Sequence, residues 1–150
     1  MLQLRAARNE DAEGIFTLIA ELAEYERMRD QMVGKVEDLR RHLFGEPRFA
    51  HSLVAEWNGA LAGFALYFFN YSTFLCRPGL YLEDLFVRPE YRHHGIGRSL
   101  LEALEQRARE RQCGRLEWAV LDWNTSAIEF YQRFGAHANS GWTIYRKSLV

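Results

Sequence analysis

The 150-residue chain is 48% apolar and 26% charged, with a formal net charge of −1. That length fits one domain able to bury about two thirds of its unfolded surface, and the near-neutral charge gives no general attraction for nucleic acid or a membrane surface. Cys76 and Cys113 stand far apart, no His/Cys spacing suits zinc, and no apolar run is long enough for a leader or a membrane span; the expectation is a cytoplasmic, metal-free protein with reduced thiols.

Residues 2–7 alternate apolar and polar and predict a first strand. Asn9 is placed to cap the next helix, with Glu10 and Asp11 in its first turn and Ile15, Leu18, Ile19 and Leu22 as its core stripe. Glu21, Glu24 and Glu26 lie near that helix's end, either as a solvated face or as an acidic patch for a cationic substrate. A second helix is predicted over Val36–Phe44, stopped by Gly45 with Pro47 beyond.

Residues 51–56 and 61–70 read as strands joined at Asn58-Gly59, a strong hairpin signal. Apolar side chains on both parities of the second predict burial on two faces. A loop is expected over 71–79, a fourth strand over 80–87, and a fifth over 115–121. Asn124 is the expected cap of a helix running to about Arg133, with Gly135 as its left-handed stop, and residues 142–147 read as a last strand. The predicted architecture is α/β: a mixed, mostly antiparallel sheet of six to seven strands with about four helices on both faces. The helix between strands four and five is a crossover, so those strands should be parallel and splay apart to leave a slot.

The chemistry gathers after the fourth strand. Pro89 ends the ladder, Arg92-His93-His94-Gly95-Ile96-Gly97 turns the chain, and a helical run follows over 98–112 with Ile96, Leu100, Leu101 and Leu104 on one face. Glycines at a helix mouth, its free N–H groups and a nearby Arg suit a phosphate or pyrophosphate. A Walker loop is excluded, because Arg98-Ser99 follows Gly97; a dinucleotide fingerprint is excluded by Leu100.

The remaining pattern, R-x-x-G-x-G after a strand, resembles the acetyl-CoA loop of the GNAT N-acetyltransferase superfamily. The likeness spans nearly the whole chain: Glu21-Leu22-Ala23-Glu24-Tyr25-Glu26, residues 49–56, Tyr81-Leu82-Glu83-Asp84-Leu85, Pro89-Glu90-Tyr91-Arg92, Leu121-Asp122-Trp123-Asn124, Phe130-Tyr131 and Gly135-Ala136. It is nearest to the diamine acetyltransferases, the spermidine/spermine group and its thialysine N-epsilon-acetyltransferase relatives. Tyr71-Ser72-Thr73 and residues 119–124 look more like the thialysine branch. The polyamine branch tends to carry an acid where Ser72 stands and a Trp where Phe74 stands.

The resemblance implies acetyl-CoA as co-substrate and a small primary amine as acceptor, joined by direct attack in a ternary complex. An amine is nearly all protonated at neutral pH, so a carboxylate that attracts and deprotonates it is useful. The resemblance assigns this role to Glu83, acting through a water, and makes Tyr131 the acid for the leaving thiolate. Strand alternation puts Glu83 and Asp84 on opposite faces unless a bulge intervenes. Backbone of Leu85, Phe86 and Val87 is expected along the pantetheine arm, joined by Asn124. Arg92, His93, His94, Gly95, Ile96, Gly97 and Arg98 are expected around the diphosphate. Tyr25, Glu26, Ser72, Phe74 and Glu83 are expected on the acceptor side. A homodimer is implied by resemblance alone. Competing readings are a protein lysine or N-terminal acetyltransferase and a non-catalytic coenzyme A sensor.

Overall fold

A computed structural model describes all 150 residues, as two compact units, Met1–Ala119 and Val120–Val150. The larger unit contains β1 (Leu2–Ala6), α1 (Ala12–Tyr25), α2 (Val36–Phe44), β2 (His51–Trp57), β3 (Ala60–Ser72), β4 (Arg77–Val87), α3 (Ile96–Glu110) and β5 (Leu116–Trp118). The strands lie in sequence order, antiparallel from β1 to β4, with β5 parallel to β4. The crossover through α3 accounts for that one parallel pair.

The α1 stripe works as its spacing predicts. Ile15, Leu18 and Leu22 join Leu43 of α2 and Val54, Phe64, Leu66 and Phe86 of the sheet in one buried cluster. Ala65 and Tyr67, which alternate with Phe64 and Leu66, are buried too, so β3 is covered on both faces. α3 packs against β2, β3 and β4, burying Ile96, Leu100, Leu101 and Leu104. Arg5 of β1 ties the first elements together, donating to both oxygens of Asp11 (2.7 and 2.9 Å) and to Glu56 of β2 (2.6 Å).

Four expectations are corrected. Asn9 does not cap α1: Asn9–Asp11 forms a separate 3-10 turn, and α1 begins at Ala12. The Asp11 carboxylate is taken by Arg5 and by the Arg8 N–H, which settles that turn ahead of the helix. The loop over 71–79 shrinks to Thr73–Cys76, because Tyr71 and Ser72 pair with Pro78 and Arg77 in the β3–β4 ladder. β5 is only three residues long.

The sheet therefore has five strands, not six to seven. The last strand, read over 142–147, is absent, and Trp142 and Tyr145 are 79% and 92% exposed. Alternation marks a segment able to pair, but the ladder also needs an edge to receive it. The Val120–Val150 unit holds α4 (Thr125–Arg133), capped as expected by Asn124, whose Oδ1 accepts the Ala127 N–H at 3.3 Å. Gly135 follows with φ of 96°.

Candidate active site

β4 pairs with β5 only from Leu80 to Leu82 and then continues alone to Val87. The stretch from Glu83 to Val87 thus borders β3 on one side and lacks a β5 partner on the other. That edge presents main-chain N–H and C=O groups that an extended amide ligand can pair with as a further strand would, apart from the Val87 carbonyl, which Arg92 already occupies. Just past this edge, Pro89–Tyr91 makes a 3-10 turn and the chain enters α3.

The mouth of α3 is shaped by Gly95, which sits in the left-handed region (φ 74°, ψ 14°) where a side chain is disfavoured. Ile96, Gly97 and Arg98 form the first turn, and the helix ladder starts with the Ser99 N–H donating to the Gly95 carbonyl at 3.0 Å. Their combined dipole favours an anion. Arg92, shortly before Gly95 in the chain, adds a full charge: its Nε donates to the Val87 carbonyl at 2.9 Å, and its guanidinium lies over the rings of Tyr25 (5.4 Å) and Phe86 (5.7 Å). An extended edge leading to a cationic helix mouth fits a chain of amides ending in a diphosphate. His94 is differently engaged, stacked on Trp57 of β2 with ring centres 4.4 Å apart. His93 has positive φ, and Arg98 pairs with Glu102 one turn on.

Carboxylates meet at the other end of the same edge. In the β3–β4 register Leu66 faces Asp84 and Tyr67 faces Leu82, leaving Glu83 as the extra residue of a bulge. Glu83 is exposed and Asp84 is partly buried. Burial, followed by the charges of Glu83 and Glu26, pushes the Asp84 carboxyl up to about 7. Burial and then Glu83 also raise the Glu26 carboxyl above its ordinary range. Burial and the Glu83 charge lift the Tyr81 phenol in the same direction. Asp84 and Glu26, both raised in part by the charge of Glu83, form with it a strong attractor for an ammonium group, which neutralises part of that repulsion.

Glu26 and Glu83 therefore fall in one cluster, as expected, whereas Asp84 is an addition. Its signal was the bare Glu83-Asp84 pair, and nothing in the residues announced the bulge. Tyr25 lies against Arg92, on the wall of a cavity of about 300 Å³ lined by Glu21, Glu24, Tyr25, Phe86, Pro89 and Arg92. Ser72 and Phe74 stand elsewhere, at the β3–β4 hairpin tip. The Ser72 hydroxyl is buried and accepts the Leu75 N–H at 3.2 Å, and Phe74 is 99% exposed. Five or six strand residues separate that tip from the bulge, about 17–20 Å. Asn124 and Tyr131 belong to the C-terminal unit, at the cap and in the second turn of α4, where the Tyr131 and Phe130 rings lie 5.5 Å apart.

Comparison with known proteins gives a consistent picture. The profile of the "Acetyltransferase (GNAT) family" matches residues 12–136. Bovine thialysine N-epsilon-acetyltransferase is 40% identical over 156 residues, covering 97% of this chain and 91% of that one. L-ornithine N5-acetyltransferase NATA1 of Arabidopsis thaliana is 45% identical over a shorter match, 57% of this chain and 38% of its own. Among solved structures, a Vibrio cholerae integron cassette protein superposes with a TM-score of 0.81 at 24% identity, covering 98% of this chain and 92% of its own. An aminoglycoside acetyltransferase from a soil metagenome gives 0.82 at 19% identity, covering 99% and 97%. At those identities the structures speak for the fold.

Proposed function

The chain belongs to the GNAT acetyltransferase family and is an N-acetyltransferase, and from that premise we propose that it moves the acetyl group of acetyl-CoA to the primary amine of a small molecule. The acceptor class we favour is an amino acid with a terminal side-chain amine, of the thialysine or ornithine kind. The supporting observation is the continuity of one edge: carboxylates at the Glu83 bulge, backbone from Leu85 to Val87 without a β5 partner, then the mouth of α3 with Arg92 close by in sequence.

On this reading the pantetheine amides pair with Phe86 and Val87, the diphosphate lies on Gly95, Ile96, Gly97 and Arg98 with Arg92 beside it, and the thioester points toward the bulge. Glu83 and Glu26 draw the ammonium in, and Glu83 takes its proton through a water. The neutral nitrogen attacks the thioester carbonyl, forming the N–C bond as the C–S bond breaks; Tyr131 protonates the departing thiolate, and the second proton released by the acylated nitrogen restores the Tyr131 phenol. Asp84, poised near neutral pH, keeps a proton within the cluster and limits its charge when no amine is bound. Asn124 adds a contact to the pantetheine arm. A cytoplasmic homodimer completes the proposal, with exposed Trp142, Ile144 and Tyr145 as side chains for a second copy to cover.

The test is thiol release from acetyl-CoA on adding thialysine, ornithine, lysine or spermidine. Release with the amino acids, falling at least a hundredfold in Glu83→Gln and Tyr131→Phe, supports the assignment. No release with any amine removes it, and rates in both variants unchanged from wild type remove the catalytic assignment.

A further inference from the structure

Two arginines flank the turn that leads into α3, and the protein treats them differently. Arg88 is consumed by its own surroundings: it donates to both carboxylate oxygens of Glu21 (2.9–3.2 Å) and to the Leu61 carbonyl at 3.0 Å. Arg92 commits only Nε, to the Val87 carbonyl. No carboxylate forms an ion pair with it, although Glu21 and Glu24 line the same cavity. What holds the rest of the guanidinium is aromatic: Tyr25 from the last turn of α1 and Phe86 from β4.

We propose that Tyr25 is a positioning residue for the donor rather than a contact for the acceptor: with Phe86 it holds the Arg92 guanidinium at the mouth of α3, keeping its two terminal nitrogens available for a diphosphate. This rests on acetyl-CoA being the donor. A free arginine carries substantial rotamer entropy, and fixing it before the ligand arrives strengthens binding. A ring face does this without neutralising the charge, which a carboxylate would do. The device also spans two elements, so the end of α1 and the phosphate loop are set by one contact. Its reach excludes the acceptor from that face of the Tyr25 ring, because the guanidinium already occupies it.

The experiment compares Tyr25→Leu and Tyr25→Phe by calorimetry with acetyl-CoA and by initial rates with acetyl-CoA or acetyl-pantetheine, which lacks the phosphates, as donor. Thermal melts confirm folding; Tyr25 is 40% exposed, so its removal leaves the core intact. The expected result for Tyr25→Leu is about a tenfold loss of acetyl-CoA affinity and a matching rise in its KM. Its kcat should change less than twofold, and its KM for acetyl-pantetheine should not move. Tyr25→Phe keeps the ring and should restore wild-type affinity. In an Arg92→Gln background, Tyr25→Leu should add no further loss. Unchanged acetyl-CoA affinity in Tyr25→Leu, an equal loss with acetyl-pantetheine, or a rise confined to the amine KM overturns the inference. Wild-type protein that binds no acetyl-CoA overturns the proposed function itself, an outcome separate from wild-type binding with an unshifted Tyr25→Leu.

Discussion

Glu83 and Asp84 are consecutive on β4, yet only Asp84 has a partner across the ladder, Leu66, while Glu83 is the extra residue of a bulge. A bulge re-aims side chains that alternation would send to opposite faces. Here the outcome is a partly buried Asp84 whose desolvation, with the charges of Glu83 and Glu26, raises it from 3.8 to about 7. Because its folded value lies above its unfolded one, the neutral form stabilises the fold. That contribution is fully present below pH 4 and is lost as pH rises through 7, up to about 4 kcal/mol. Asp84→Asn should therefore match wild type in melting temperature near pH 4 and exceed it increasingly toward pH 8. Asp11, held low by Arg5, acts with the opposite sign at acid pH, but equally in both proteins. Parallel melting curves with a constant gap across that range would exclude a neutral Asp84.

Gly63 of β3 sits opposite Val87 of β4, behind the unpaired edge. A Cβ there would sit 2.6 Å from the Phe86 carbonyl oxygen and 3.2 Å from the Val87 Cα, so backbone must move to admit it. Gly63→Ala should cost about 1–3 kcal/mol, as overpacking generally does. It should also weaken acetyl-CoA binding, since Phe86 and Val87 are displaced together. Isothermal titration beside a urea melt checks both.

Gly95 tests the helix mouth by a different route. Open space surrounds the position, so its requirement comes from φ of 74° rather than from crowding. Gly95→Ala should lose about 1–2 kcal/mol. Relief of that strain by turning the peptide would misdirect the first N–H groups of α3, so acetyl-CoA should bind more weakly too. Gly59, at φ of 85° in the β2–β3 turn, should show a similar stability loss and normal acetyl-CoA binding.

What could be read without coordinates followed the strength of local signals. The α2 bounds, the Asn58-Gly59 turn, the Asn124 cap and the parallel β4–β5 pair all rest on interactions within a few residues or on crossover geometry. The phosphate-loop helix was legible for the same reason. Failures came where a partner outside the segment decides. Asn9 lost the cap because Arg5 of β1 orders Asp11; 142–147 has the alternation of a strand but pairs with none; Thr73–Cys76 became a tight turn because Tyr71 and Ser72 found Pro78 and Arg77. Asp84 was missed because a bulge is a property of two strands in register, invisible in either alone.

The Arg88–Glu21 pair offers a last prediction, about how α1 is held to the sheet. The guanidinium makes three hydrogen-bonding contacts to Glu21 and a fourth to the Leu61 carbonyl, with both side chains roughly a third exposed or less. Exposed pairs contribute little, but a multiply bonded, partly buried Arg–carboxylate fork exceeds that floor. Arg88→Ala should destabilise the protein by about 1–2 kcal/mol, leaving both Glu21 and the Leu61 carbonyl without their donor. Glu21→Gln should cost less, because the amide oxygen still accepts from the guanidinium. The wild-type advantage over Arg88→Ala should shrink between 0.05 and 1 M salt, by roughly the Coulombic share of the pair. A salt-independent difference would mean that Arg88 acts through its methylene packing and its bond to Leu61 rather than through its charge.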